Sequence, residues 1–139
     1  MTAKELLEQA AVAMERAYAP YSGFQVGAAL LGQSGRVYHG CNIENAAYGP
    51  TNCAERSAVF SAISQGERTF AAIAVVGGPN GNPEGPCPPC GVCRQVLREF
   101  CPDDFPIYLR NADGTVQTCT LIELLPQSFS SANLKTVEE

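Results

Sequence analysis

The chain has 139 residues, 45% of them apolar, and a formal net charge of −5. That is enough apolar material for the core of one ordinary domain spanning residues 1–139, and the acidic balance excludes a long phosphate-tracking surface, so a small molecule is expected as substrate rather than a nucleic-acid polymer. No run is long enough to span a membrane, and the first residues lack the basic start, apolar block and small-residue cleavage site of a secretion signal, so a cytoplasmic location is expected.

Thr2 with Glu5 three residues on forms a capping-box pattern, and Leu6, Leu7, Ala10, Met14, Ala17 and Tyr18 recur at helical spacing as far as Pro20, which predicts a first helix over that span. The runs "FQVGAALL" and "RVYHGC" are β-prone and are joined by the polar "GQSG", a hairpin pattern. From Cys53, Ala54, Ala58, Val59, Ala62 and Ile63 repeat at helical spacing, and Gly66 stands where a glycine ends a helix. The continuous apolar run "AAIAVVGG" suits a strand covered on both faces. A further helix is expected from Cys90, with Val92, Val96, Leu97 and Phe100 on one side and "CPDD" as its stop. "PIYL", a turn at Asp113-Gly114, "TVQTC" and a short helix opened by Thr120 with Glu123 complete the pattern. The order α-β-β-α-β-α-β-β-α carries no internal repeat and predicts an α/β fold. Two segments lack periodicity, "GGPNGNPEGPCPP" and the tail from Pro126. The first has four glycines and five prolines in thirteen residues and reads as a long functional loop or as surface slack.

Seven cysteines is an odd count for a disulfide framework, so the thiols are expected to be free, catalytic or bound to metal. In "PCPPCGVCRQ", Cys87, Cys90 and Cys93 are equally spaced and give two overlapping C-x-x-C pairs. Pro88 and Pro89 hold the backbone extended, which at ~3.1 Å per residue sets Cys87 roughly 9 Å upstream of Cys90, too far for a shared ion. Cys90 and Cys93 fall at a helix start, where residues three apart have Cβ atoms about 5 to 6 Å from each other and the helix dipole favours thiolate. They are the expected pair, with Cys87 a bystander to the metal. Zinc needs at least one more ligand, and Cys53 in "TNCAERSAV" opens another helix. Glu55, two residues later, suits a base acting on metal-activated water better than a fourth ligand. Three protein ligands and an open position imply catalysis, since structural zinc closes with four. Plainer readings stand beside this one: a capping box from Asn52 and Glu55, a redox dithiol, or a structural zinc knot completed by Cys41 or Cys101.

The conjunction of C-x-E on one helix start and P-C-x-x-C on another matches the signature of the zinc nucleobase deaminases, with Cys in place of His as first ligand. Over almost its full length the chain resembles the small cytidine deaminases, the homotetrameric class with three cysteine ligands. "YSGFQVGAAL", "GCNIENAAYG", "NCAERSA", "PCGVCRQ" and "LLPQSF" are similar to that family's segments, in its order. The resemblance implies a three-layer α/β/α sandwich around a mixed five-stranded sheet, one Zn2+ held by Cys53, Cys90 and Cys93, and Glu55 as proton shuttle. It assigns Asn42 and Glu44 to the ribose hydroxyls and Phe24 to the wall of the pyrimidine or sugar, and adds Ala54 to the substrate contacts. Phe129 corresponds to an aromatic lent to a neighbouring subunit's pocket, with packing on its own subunit the plainer alternative, and Tyr48 to a subunit contact. Arg56 is positioned to donate to cysteine sulfurs and offset the charge of three thiolates, against the alternative of a surface arginine. His39, the single histidine, lies outside every matched segment and receives no role. The implied reaction is hydrolytic deamination of cytidine and deoxycytidine in pyrimidine salvage. The competing readings are a deaminase of cytosine-containing antibiotic nucleosides of the blasticidin type, and a non-enzymatic zinc module that binds a partner protein. The doubled "PCPPC" and the longer Gly/Pro loop depart from the family pattern.

Overall fold

In the computed structural model, which describes residues 1–134, strands β1 (Phe24–Gly32), β2 (Val37–Cys41), β3 (Phe70–Pro79), β4 (Pro106–Arg110) and β5 (Val116–Thr120) form a sheet in the order β2-β1-β3-β4-β5. β1 runs antiparallel to both β2 and β3, β3 runs parallel to β4, and β4 antiparallel to β5, so the sheet is mixed as expected. The helices are α1 (Ala3–Met14), α2 (Ala54–Ser64), α3 (Gly91–Phe100) and α4 (Leu121–Leu124), followed by a 3-10 turn at Ser131–Leu134.

Alternation of side chains along the strands distributes two cores to the two faces of the sheet. On one face, Leu6, Leu7, Ala10 and Met14 of α1 pack with Ala29, Ala72, Ala74 and Val76. On the other, Ala58, Val59 and Ala62 of α2, Leu97 of α3 and Leu121 of α4 meet Ala28, Leu30, Ile73, Val75, Ile107 and Leu109. Because β3 supplies both cores with successive residues, its sequence reads as an unbroken apolar run. The result is a three-layer α/β/α sandwich.

Both capping boxes, Thr2 with Glu5 and Thr120 with Glu123, are present. Gly66 follows the end of α2 with φ +97°, the left-handed conformation that glycine adopts at least cost. The first helix stops at Met14, short of the expected end near Pro20. Tyr18 instead donates its N–H to Asn42 O and accepts from Glu44 N at its carbonyl, and these strand-like bonds draw the segment out of helical register. Glycine brings the layers close in two places. A Cβ on Gly27 of β1 would lie 2.1 Å from Ala10 O in α1, and one on Gly40 of β2 would lie 2.3 Å from Ala54 O in α2. Residues 135–139 of the tail lie outside the described residues. No helix among the described residues is long and apolar enough to cross a membrane.

Candidate active site

The N-termini of α2 and α3 point to the end of the sheet where β1 begins and where β2 and β3 finish. Ligands of open α/β sheets gather outside strand ends of this kind. Cys53 is the N-cap of α2 and Cys90 the N-cap of α3, each with extended backbone and no side-chain capping bond, so both thiols are free to face the gap. Cys93, one turn into α3, is buried. The Asn52–Glu55 capping box does not form. Cys53 holds the cap position, Glu55 turns inward, and Asn52 Nδ2 donates to Ser57 Oγ at 3.2 Å.

The ligand atoms of Cys53, Cys90 and Cys93 all lie within 4.8 Å of one another. Sulfurs bound 2.3 Å from one tetrahedral ion would stand about 3.8 Å apart, and the Cys53 and Cys90 sulfurs are separated by 3.7 Å. The donor set therefore fits zinc. Among the described residues neither Cys41 nor Cys101 joins this group, so a four-sulfur structural knot is not formed. Cys87 stays outside the ligand group too, but it lines the same cavity, a position the sequence reading did not foresee.

The electrostatics favour thiolate at the opening of α2. A hydrogen bond from the Cys93 thiol and another from Arg56 outweigh desolvation and draw the Cys53 thiol down to about 5, while the same bond and burial push Cys93 up. Arg56 Nη2 donates to Cys53 Sγ at 3.3 Å, and its Nε is buried without a partner. The guanidinium thus faces the sulfurs, unlike a surface arginine. Glu55 is 4% exposed, and burial pushes its carboxyl up to about 7, with the nearby Cys53 charge adding to the effect. A carboxyl balanced near neutrality can both take and return a proton.

The cavity above this cluster has a volume of about 280 Å3. Cys53, Ala54, Glu55, Cys87 and Cys90 line it together with Phe24, Asn42 and Glu44. Asn42 is buried and braces the rim of the sheet: its Oδ1 accepts from Val26 N at 2.9 Å and its Nδ2 donates to Phe24 O at 2.8 Å. Glu44 accepts from the backbone N–H groups of Tyr21 and Ser22 and from the Ser22 hydroxyl, which keeps its carboxyl below the usual carboxylate range, chiefly through the hydroxyl. Both side chains are therefore held rigidly, with acceptor capacity left over for a polyol. Phe24 is exposed at the rim.

Phe129 does not reach this cavity. It is 58% exposed, and its carbonyl accepts from Gln95 Nε2. Tyr48, with φ +56°, packs edge-on against Tyr21 beside an adjoining hollow that shares Ser22, Glu44 and Thr51 with the cavity. His39 is exposed and bonded to Gln9.

Residues 1–109 match the family model for the cytidine and deoxycytidylate deaminase zinc-binding region. A cytidine deaminase of Sporosarcina psychrophila is 50% identical over all of this chain and 99% of its own length. One of Halalkalibacterium halodurans is 52% identical over 96% of this chain and 98% of its own. The crystal structure of cytidine deaminase from Burkholderia pseudomallei superposes with a TM-score of 0.85 at 51% identity, covering 93% of this chain and 100% of that one. A buried carboxyl beside three converging sulfurs, on the fold and in the sequence of these relatives, leads to one conclusion: the chain belongs to the cytidine and deoxycytidylate deaminase family.

Proposed function

We propose that this chain deaminates cytidine, and deoxycytidine as well, releasing the uracil nucleoside and ammonia. The observation that carries this reading is the pairing of Glu55, buried and pushed up to about 7, with three converging sulfurs, two of which, those of Cys53 and Cys90, line the same cavity as Glu55, with no fourth protein ligand beside them among the described residues. The names borne by the relatives at 50% and 52% identity support the same substrate.

Zinc held by Cys53, Cys90 and Cys93 would supply a Lewis acid that makes water a nucleophile near neutral pH. Glu55 accepts a proton from the attacking water and delivers it to N3 of the base, while the water oxygen forms its bond to C4. Glu55 then takes the remaining hydroxyl proton and gives it to the amine, which leaves C4 as ammonia. The water oxygen becomes O4 of the uracil, so atoms balance without any other reactant. Asn42 and Glu44 bind the sugar hydroxyls, Phe24 and Ala54 flank the nucleoside, and Arg56 stabilises the thiolates.

A cytoplasmic homotetramer acting in pyrimidine salvage is part of the proposal. Exposed Phe129, outside its own cavity, is free to enter a neighbour's. Sedimentation equilibrium reads the assembly. The deciding experiment is an ultraviolet assay of zinc-quantified protein on cytidine, deoxycytidine and deoxycytidine monophosphate, alongside Glu55→Gln. Turnover of the nucleosides is expected, with a loss of about 100-fold or more in the variant at equal zinc content. A zinc-loaded parent inactive on both nucleosides, or a zinc-loaded Glu55→Gln with parental rates, refutes the reading.

A further inference from the structure

Cys87 is set into the cavity wall by a gap in the sheet. Gly77 pairs with Val26 across β1 and β3, on the face that carries Val75 and packs against α2 and α3. A Cβ at Gly77 would lie 2.9 Å from Cys87 Sγ and 3.0 Å from Val26 Cγ2, so the missing side chain is the seat of the thiol. Cys87 and Val26 pack side by side against the core beneath, and both line the cavity. Cys87 lines the same cavity as Glu55 and Cys53 and rests against the core, unlike Phe24, which stands exposed on another part of the lining. Burial pushes the Cys87 thiol up to about 11, so near neutrality it is a protonated, apolar surface rather than a nucleophile.

We propose that Cys87 is a specificity-determining residue for the base: seated over Gly77 beside Val26, its thiol closes the deep wall of the cavity and limits what can be attached next to the carbon that loses its amine. This rests on the deaminase reading above. In a cytosine ring N1 carries the sugar, C4 carries the amine, and N3 is the atom Glu55 addresses. C5 is the remaining neighbour of C4, so a substituent at C5 is the one that a wall near C4 admits or rejects. The doubled "PCPPC" acquires a role from this placement. The first cysteine shapes the pocket and the second offers its sulfur to the metal.

The test measures kcat/KM for cytidine and 5-methylcytidine in the parent, Cys87→Ala and Cys87→Leu, with zinc content and unfolding midpoint recorded for each. Shortening the wall should raise the 5-methylcytidine to cytidine ratio by about tenfold, mainly through KM, and lengthening it should lower the ratio by a similar factor, the scale of one methyl group in an apolar pocket. A merely structural role would move both substrates together and leave the ratio alone. A ratio within about twofold of the parent's in either variant, folded and zinc-loaded, overturns the proposal. If the parent deaminates cytidine while the ratio stays put, the wall assignment fails alone; a zinc-loaded parent inactive on cytidine brings down both readings.

Discussion

Gly40→Ala tests how the sheet positions the site. Gly40 lies on β2 directly under α2, the helix that carries Cys53 at its cap and Glu55 in its first turn. An added Cβ would stand 2.3 Å from Ala54 O, 2.4 Å from Ala58 N and 3.0 Å from Ala58 Cα. All three are backbone atoms, so no side chain can swing aside. Moving from 2.3 Å to the 3.4 Å at which ordinary contact begins requires α2 to lift by about 1 Å. Overpacking of this kind costs about 1–3 kcal/mol, and a rigid helix backbone sets the expectation near 3. With a urea slope of about 2 kcal/mol per molar, the unfolding midpoint should fall by about 1.5 M. Protein concentration must be held constant, because any assembly contributes to apparent stability. In the fraction that remains folded, a shift of about 1 Å in Glu55 relative to Cys90 and Cys93 should lower kcat/KM by about 100-fold. Gly85→Ala is the control, since a Cβ there meets nothing within 4 Å and should cost nothing. A Gly40→Ala midpoint within about 0.3 M of the parent would refute the close-approach argument.

Arg56→Ala removes the donor to Cys53 Sγ and should weaken zinc binding by about 10- to 100-fold in competition with a chromophoric chelator, with Arg56→Gln losing less because its amide still donates; unchanged affinity in the Ala variant would reduce Arg56 to a packing role. Cys101, 5% exposed at the end of α3, has its thiol pushed up to about 12 by burial from an ordinary 9.0. The unfolded chain therefore releases this proton first, so the contribution is complete below the unfolded value and is lost as pH rises from about 9 toward 12, by up to about 4 kcal/mol. Urea unfolding across that range should show a flatter alkaline decline in Cys101→Ala than in the parent, and parallel declines would contradict the assignment.

Local signals in the sequence were sufficient for the elements and for the chemistry each element offers. Capping boxes at Thr2 and Thr120, the glycine after α2 and the unbroken apolar run of β3 are short-range patterns, and each corresponds to an element in the structure. The spacing of Cys90 and Cys93 is likewise a property of one helical turn, and Cys87, two prolines upstream, stays outside their group of sulfurs as its spacing led one to expect. The end of α1 was not legible, because its apolar spacing runs on to Tyr18 while bonds to Asn42 and Glu44, distant in sequence, decide the backbone there. From the residues alone Cys53 was a candidate third ligand because it opens a helix, with Cys41 and Cys101 as alternatives; the match to the deaminase signature selected it, and in the structure the packing of α2 and α3 on one face of the sheet brings it to Cys90 across 37 positions. Other decisions belonged to tertiary structure alone. Asn42 is committed to bracing β1, Arg56 is turned toward sulfur, Phe129 is kept out of its own cavity, and Cys87 is drawn into the wall by the space over Gly77. Periodicity and spacing describe what a segment can present to its surroundings, whereas the contacts that finish a site depend on which segments meet and how closely their backbones approach. At Gly40 and Gly77 that distance is set by the absence of a side chain.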